Sequence, residues 1–184
     1  MRLIVSSLLI MILLGACVQE EVTETIIYHG TETDFAVAVI HPTEGNEARG
    51  VVTFTKVGDG VRVQASISGL QPGQLHGFHV HQYGDCRDAG ALSAGGHYNP
   101  TDMPHGGPVD TDRHMGDLGN LPAGDDGVAN LEYTDLKLVL SGEHSIIGYG
   151  VIVHRDRDDL VSQPVGDAGP RIGCGVIGVG NPDH

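Results

Sequence analysis

Residues 77–86, "GFHVHQYGDC", place two histidines two positions apart, and a cysteine follows five residues after the second. Successive side chains of a β-strand point to opposite faces, so residues i and i+2 share a face. In a strand, Phe78 and Val80 can enter a core while His79 and His81 stand together outside it. Two neighbouring imidazoles can hold a metal ion, but they can equally be solvated histidines on a polar strand face. The stretch alone leaves both interpretations open.

The sequence around this stretch predicts an all-β fold. Short segments that alternate apolar and polar residues are bounded by Gly, Asp or Pro, and the Asp-Gly within 57–61 predicts a tight hairpin. Seven or eight short strands with frequent turns are typical of a sandwich or barrel. The predicted strands are residues 25–30, 34–42, 50–57, 60–70, 75–82, 128–136, 145–154 and 174–180.

Two long stretches, residues 83–127 and 155–172, interrupt the strand pattern. Loops of this length are usually functional or disordered. The first stretch contains three histidines among glycines, prolines and aspartates, with little apolar surface to order it. Metal binding can supply the missing ordering free energy, which favours the metal interpretation of the histidine pair.

Length and charge restrict the class of protein. The 184 residues suit one domain plus a processing segment. The formal net charge is -14, and the only lysines are Lys56 and Lys137. A nucleic-acid partner is therefore not expected, because binding phosphates requires many basic side chains. The acidity itself is typical of a soluble surface.

The N-terminal residues 1–16 are predicted to be a signal peptide, with Arg2 before an apolar segment too short to span a bilayer. The sequence "LLGAC" at 13–17 resembles the lipobox of bacterial lipoproteins. That resemblance implies cleavage before Cys17, lipid on its thiol, and location in the periplasm or cell envelope on a bacterial membrane. Residues 17–34 would form a tether and N-terminal segment before a domain at 35–184. The alternative is an ordinary secretory signal whose apolar segment ends at a cysteine.

The three cysteines are consistent with export. If Cys17 carries lipid, Cys86 and Cys174 remain as a pair, and an oxidising compartment permits a disulfide between them.

Six segments resemble Cu/Zn superoxide dismutases, in matching order and spacing across about residues 35–180. They read "GFHVHQYGD", "SAGGHYNP", "HGGP", "RHMGDLGN", "VIVHRDRDDL" and "GPRIGCGVIG". The early cysteine and the short second loop are similar to the bacterial exported branch. The resemblance implies an eight-stranded Greek-key β-barrel, one copper and one zinc per subunit, and dismutation of superoxide to oxygen and hydrogen peroxide. It leaves a homodimer open.

Carried over residue by residue, the resemblance implies two metal sites that share one bridging imidazolate, His97. The copper ligands would be His79, His81, His97 and His154, and the zinc ligands His97, His105, His114 and Asp117.

Two further residues receive roles from the resemblance. Asp158 matches a carboxylate that links His79 to His105, and Arg171 matches the arginine that attracts the anionic substrate over copper. Arg171 and the bridging His97 would thus be the catalytic residues. The chain departs from the family pattern at Val165 and Asp167, where a threonine and an asparagine are usual, and this puts the rate in doubt. The alternatives are a periplasmic metal-storage protein and a lipoprotein with an inactive site.

Overall fold

The computed structural model describes residues 32–183. The signal segment 1–16, Cys17 and the predicted strand at 25–30 lie outside the described residues. The described part contains nine strands: β1 (Phe35–Pro42), β2 (Arg49–Val57), β3 (Gly60–Ser68), β4 (Leu75–His81), β5 (Asp117–Pro122), β6 (Ala129–Asp135), β7 (Gly150–His154), β8 (Arg171–Val176) and β9 (Gly178–Val179). A single 3-10 turn, Leu92–Ala94, is the only helical element in that part.

Eight strands form one continuous antiparallel path in the order β5-β4-β7-β8-β1-β2-β3-β6, and the short β9 pairs with β1. The path nearly closes on itself, because Ala123, just after β5, forms a bridge with Ala129 of β6. Between β3 and β6 the chain crosses to the other end of the path to form β4 and β5, as in a Greek key. The predicted eight-stranded Greek-key β-barrel is confirmed. Within residues 32–183, no helix has the length and apolarity to cross a membrane.

The core fills the barrel interior with the apolar residues that alternate along the strands. In β1, Ala36, Ala38 and Ile40 are buried while Val39 is half exposed. Phe54 on β2 and Phe78 on β4 are the largest apolar side chains of the interior, and both are fully buried. Period-two alternation in the sequence therefore becomes an apolar interior and a more polar outer surface.

The predicted hairpin at 57–61 is present, but its turn residues differ from the expected pair. Val57 is the register partner of Gly60, so the turn residues are Gly58 and Asp59 rather than Asp59 and Gly60. Gly58 has φ 56°, a left-handed value that glycine adopts without steric cost at the first position of a two-residue turn.

The prediction that residues 83–127 form one irregular stretch is wrong at its end. Residues 117–122, "DLGNLP", form β5, which pairs with β4 along Leu75–His79. The predicted strand at 145–154 is too long, because β7 starts at Gly150 and residues 145–149 form a loop with one turn at 147–148. Conversely, β8 begins at Arg171, three residues before the predicted start.

Candidate metal centre

Two neighbouring strands and a loop bring four histidines together. His79 and His81 lie on β4, which pairs with β7 such that His79 faces Ile152. His154 is the last residue of β7, and His97 forms an isolated bridge with His81. All four side chains are buried, and one ligand nitrogen from each lies within 4.8 Å of the others. The histidine face of β4 is thus enclosed by loops.

The hydrogen bonds of this cluster leave two ring nitrogens without a proton, and these two nitrogens face each other. His81 Nδ1 lies 2.9 Å from the carbonyl of Gly95, and His154 Nδ1 lies 3.0 Å from that of Gly169. A carbonyl only accepts, so both Nδ1 atoms donate, and the Nε2 atom of each neutral ring carries a lone pair. These two Nε2 atoms are 3.3 Å apart. Two lone pairs at that distance repel each other unless a cation lies beside them, so the donor set fits a metal ion.

Two further nitrogens complete this donor set. Among the described residues, His79 Nδ1 and His97 Nε2 are buried with no hydrogen-bond partner. The His79 and His97 rings have centroids 4.0 Å apart. Unpaired buried polar atoms are costly, and metal coordination would satisfy both. Four imidazole nitrogens are a donor set that suits copper.

A second cluster converges on one carboxylate oxygen. Asp117 Oδ1 lies 2.8 Å from His97 Nδ1 and 3.1 Å from both His105 Nδ1 and His114 Nδ1. All four side chains are buried. Three imidazole nitrogens and one carboxylate oxygen are a donor set that suits tetrahedral zinc with a closed shell. His97 belongs to both clusters, with one ring nitrogen facing each.

The two clusters differ in their preferred protonation. Burial lowers the pKa of His81 and His154 well below the usual range, and neighbouring histidines and Arg171 add to the effect. Burial also lowers the pKa of His97 to about 4 against the opposing hydrogen bond to Asp117. These rings are therefore neutral near pH 7, as metal ligands must be.

His105 behaves differently because it lies between two carboxylates. Burial lowers its pKa, but hydrogen bonds to Asp117 and Asp158 outweigh burial and raise it to about 9. Burial raises the pKa of Asp117, yet its contacts with His105, His114 and His97 leave it well below the usual range. In the metal-free protein, His105 is therefore protonated near pH 7, and its positive charge partly balances the carboxylates of Asp117 and Asp158, as a metal cation would.

Asp158, in the second long loop, connects the two clusters. It is fully buried; its Oδ2 lies 2.7 Å from His79 Nε2 and its Oδ1 lies 3.0 Å from His105 Nε2. The side-chain amide of Asn120 on β5 holds the Asp158 backbone, donating to its carbonyl and accepting from its N–H. A carboxylate that accepts from both Nε2–H groups fixes both Nδ1 atoms as unprotonated donors toward metal.

Arg171 is half-buried at the start of β8. Its guanidinium donates to the carbonyls of Ala91 and Gly95, each at 2.5 Å. The Gly95 carbonyl also accepts from His81 Nδ1, so one peptide group orients both the arginine and a histidine of the first cluster. Because one carbonyl accepts from both side chains, the guanidinium charge lies close to this cluster, and its repulsion adds to the lowering of the pKa of His81 and His154.

The predicted disulfide between Cys86 and Cys174 is confirmed. It attaches the loop that precedes the 3-10 turn to β8, beside a small apolar cluster of Ala91, Ala94 and Ile152. The bridge therefore anchors the segment whose carbonyls hold Arg171.

Sequence reasoning missed a buried arginine behind the second cluster. Arg113 is 2 % exposed, and its guanidinium donates to Asp135 on β6 at 2.6 Å. The second terminal nitrogen of the guanidinium donates to the carbonyls of His114 and Asp117. Arg113 thus fixes the backbone of the segment that carries two histidine-cluster residues. The motif "RHMGD" contains this arginine, but nothing in the sequence indicated that it would be buried.

The comparisons with known proteins agree with this geometry. The family model for copper/zinc superoxide dismutase (SODC) matches residues 48–177. A solved structure titled "Crystal Structure Analysis of the clock protein EA4" is similar to this chain at 42% sequence identity, with a TM-score of 0.74. The similarity covers 83% of this chain and 99% of that one.

The matched residues 48–177 contain both histidine clusters and the disulfide. With its eight-stranded barrel, this chain belongs to the copper/zinc superoxide dismutase family, whose members are oxidoreductases that use copper and zinc.

Proposed function

We propose that superoxide is dismutated at a copper–zinc centre in which His97 is shared between two metals. Copper would be held by His79, His81, His97 and His154, and zinc by His97, His105, His114 and Asp117. The observation that carries this assignment is the position of the His97 ring. Its Nδ1 faces Asp117 while its Nε2 is buried without a hydrogen-bond partner among the described residues.

Bound copper supplies the one-electron exchange by which one superoxide is oxidised to oxygen and a second is reduced to hydrogen peroxide with two protons. The chain supplies the environment for that exchange. Gly95 and Gly169 carbonyls fix the tautomers of His81 and His154, so that both rings offer Nε2. With its Nδ1 on zinc, His97 could hold a proton at Nε2 whenever that nitrogen is not bound to copper. Arg171 places a fixed positive charge beside the site for an anionic substrate.

Zinc would be structural in this arrangement. Four protein side chains supply a complete tetrahedral shell, which leaves no position for substrate. The ion would order residues 99–116, a segment with few backbone pairs of its own.

Metal analysis combined with a superoxide-decay assay on residues 17–184 tests the proposal. We expect one copper and one zinc per chain and rapid turnover that depends on copper. His97→Asn should abolish turnover, whereas His144→Asn, at a histidine outside both clusters, should not. Full metal content with no turnover in the wild type would favour storage or an inactive site.

The site of action is a separate proposal: the chain is lipid-anchored through Cys17 in the cell envelope, and it protects the envelope from superoxide. The lipobox-like sequence before Cys17 supports it. Cys17→Ser should leave the protein soluble and lacking lipid by mass spectrometry. Unchanged membrane attachment would exclude the anchor at Cys17.

A homodimer is also proposed. Val39 and Val51 are register partners on the outer face of β1 and β2, and they are 50% and 42% exposed. Adjacent exposed valines support a self-association surface. Sedimentation equilibrium of the wild type and of Val39→Lys would distinguish dimer from monomer.

A further inference from the structure

Gln163 is an exposed residue in the second long loop, yet its side chain forms a closed pair of hydrogen bonds with one residue of the other loop. The backbone N–H of His105 donates to Gln163 Oε1 at 2.8 Å. The Gln163 amide group donates back to the His105 carbonyl at 2.9 Å. One carboxamide therefore satisfies both backbone polar groups of a residue in the second cluster.

The backbone of His105 depends on this contact, whereas the other three residues of the second cluster are held in other ways. His97 is fixed by its bridge to His81, and Asp117 begins β5. The His114 carbonyl accepts from the backbone N–H of Asp117 and from Arg113. Within residues 32–183, the His105 backbone has no hydrogen-bond partner other than Gln163. The next backbone N–H, that of Gly106, donates to Asp117 Oδ2 at 3.0 Å. The main chain at His105 is thus held by Gln163 directly and by Asp117 through the following residue.

The loop that carries Gln163 is itself rigidly held. Asp159 Oδ1 accepts from the backbone N–H groups of Val161 and Ser162, and Gly166 donates to the Ser162 carbonyl. Asp158, at the start of the same turn, contacts the His105 ring through Nε2. The loop therefore holds His105 at two points, its ring and its backbone.

We infer that Gln163 is a positioning residue for zinc, acting through the backbone of His105. The inference rests on the proposed zinc ligand set. Asp158 fixes which ring nitrogen faces the metal, and Gln163 fixes where that nitrogen lies. Loss of the carboxamide would leave the ring hydrogen bond and the contact of the Gly106 N–H with Asp117 intact, but it would remove the partners of both His105 backbone groups. The imidazole could then leave the metal more readily.

The test measures zinc release from the copper–zinc protein into a coloured chelator, with copper retention followed in parallel. Gln163→Ala should release zinc about tenfold faster, in the range found when groups that orient ligands are removed. Gln163→Glu keeps the shape and the acceptor but loses the donor, so it should not restore the wild-type rate. Gln64→Ala, which removes a side-chain hydrogen bond on the outer surface of β3, is the matched control and should release zinc at the wild-type rate.

Cobalt(II) placed in the zinc site gives a second measurement, because its visible spectrum reports ligand geometry. The spectrum should change in both Gln163 variants and stay unchanged in Gln64→Ala. If Gln163→Ala holds zinc as long as the wild type does, or if Gln163→Glu matches the wild type, the inference is wrong. If the wild type itself does not retain zinc, the proposed ligand set fails instead.

Discussion

Replacement of Asp158 by Asn keeps the shape of the side chain but changes which ring nitrogen of a neighbouring histidine can carry a proton. Oδ1 accepts from two donors, His105 Nε2 at 3.0 Å and the Leu160 N–H at 2.7 Å. Among residues 32–183, Oδ2 accepts only from His79 Nε2, at 2.7 Å. The amide oxygen of Asn would therefore take the Oδ1 position, and its NH2 group would face His79.

His79 cannot keep a proton on Nε2 opposite an NH2 group, so the proton must move to Nδ1. That nitrogen is the buried atom without a hydrogen-bond partner that faces the metal position, and a protonated nitrogen cannot bind metal. We expect copper affinity to fall roughly 10- to 100-fold, the range for groups that orient metal ligands. His105 keeps an acceptor but loses its charge. A charged partner adds about 1–2 kcal/mol to a hydrogen bond, so zinc affinity should fall about tenfold.

Competition with chelators at fixed pH measures both affinities. Asp156→Asn is the control, because Asp156 lies two residues away and its exposed carboxylate pairs with Arg155. Metal affinities of Asp158→Asn that equal those of Asp156→Asn would refute the tautomer reasoning. A large loss of zinc without any loss of copper would contradict the assignment of the amide oxygen to the Oδ1 position.

Three further predictions address the substrate, the backbone and pH. Arg171→Glu should lower the second-order rate of superoxide decay more than tenfold with both metals still bound; a wild-type rate would make Arg171 an ordinary surface residue. Gly166 has φ +68°, and a Cβ there would collide with Asp158 Oδ1 and His105 Nε2. Gly166→Ala should therefore lower the free energy of unfolding by roughly 1–3 kcal/mol and accelerate zinc release. Gly142→Ala is the control for backbone strain alone, because Gly142 also has a positive φ but no atom lies within 4 Å of an added Cβ. In the metal-free protein, burial lowers the His105 pKa, but the Asp117 and Asp158 carboxylates outweigh this and raise it to about 9. The stability it contributes is complete below its ordinary pKa of about 6.5 and disappears as pH rises through about 9, so the difference in melting temperature between wild type and His105→Gln should shrink over that window.

Sequence reasoning succeeded where a local pattern decides the structure. Alternation along residues 34–42 and 50–57 predicted β1 and β2 within a residue or two at each end. The strand β5 was missed because "DLGNLP" has no alternating pattern, and its pairing with β4 supplies the order. The motifs predicted which histidines come together. They could not predict the contact of Gln163 with His105, since it depends on how two irregular loops fold against each other. The assignments at Cys17 and at residues 1–34 stay predictions.

Both faces of the strand β4 are buried, but one is apolar and the other carries histidines. This difference restricts the register in which β4 can pair with its neighbouring strands. Phe78 and Val80 face the apolar interior, whereas His79 and His81 face the metal cluster. In a strand with one solvent-exposed face, a slip by one residue moves apolar side chains into water. Here the same slip would bury imidazoles among hydrocarbon side chains and push a phenyl ring between carboxylates, so both faces oppose it. We therefore expect His79 and His81, in addition to the metal-binding role proposed for them, to help select the correct alignment of β4 with β5 and β7 during folding.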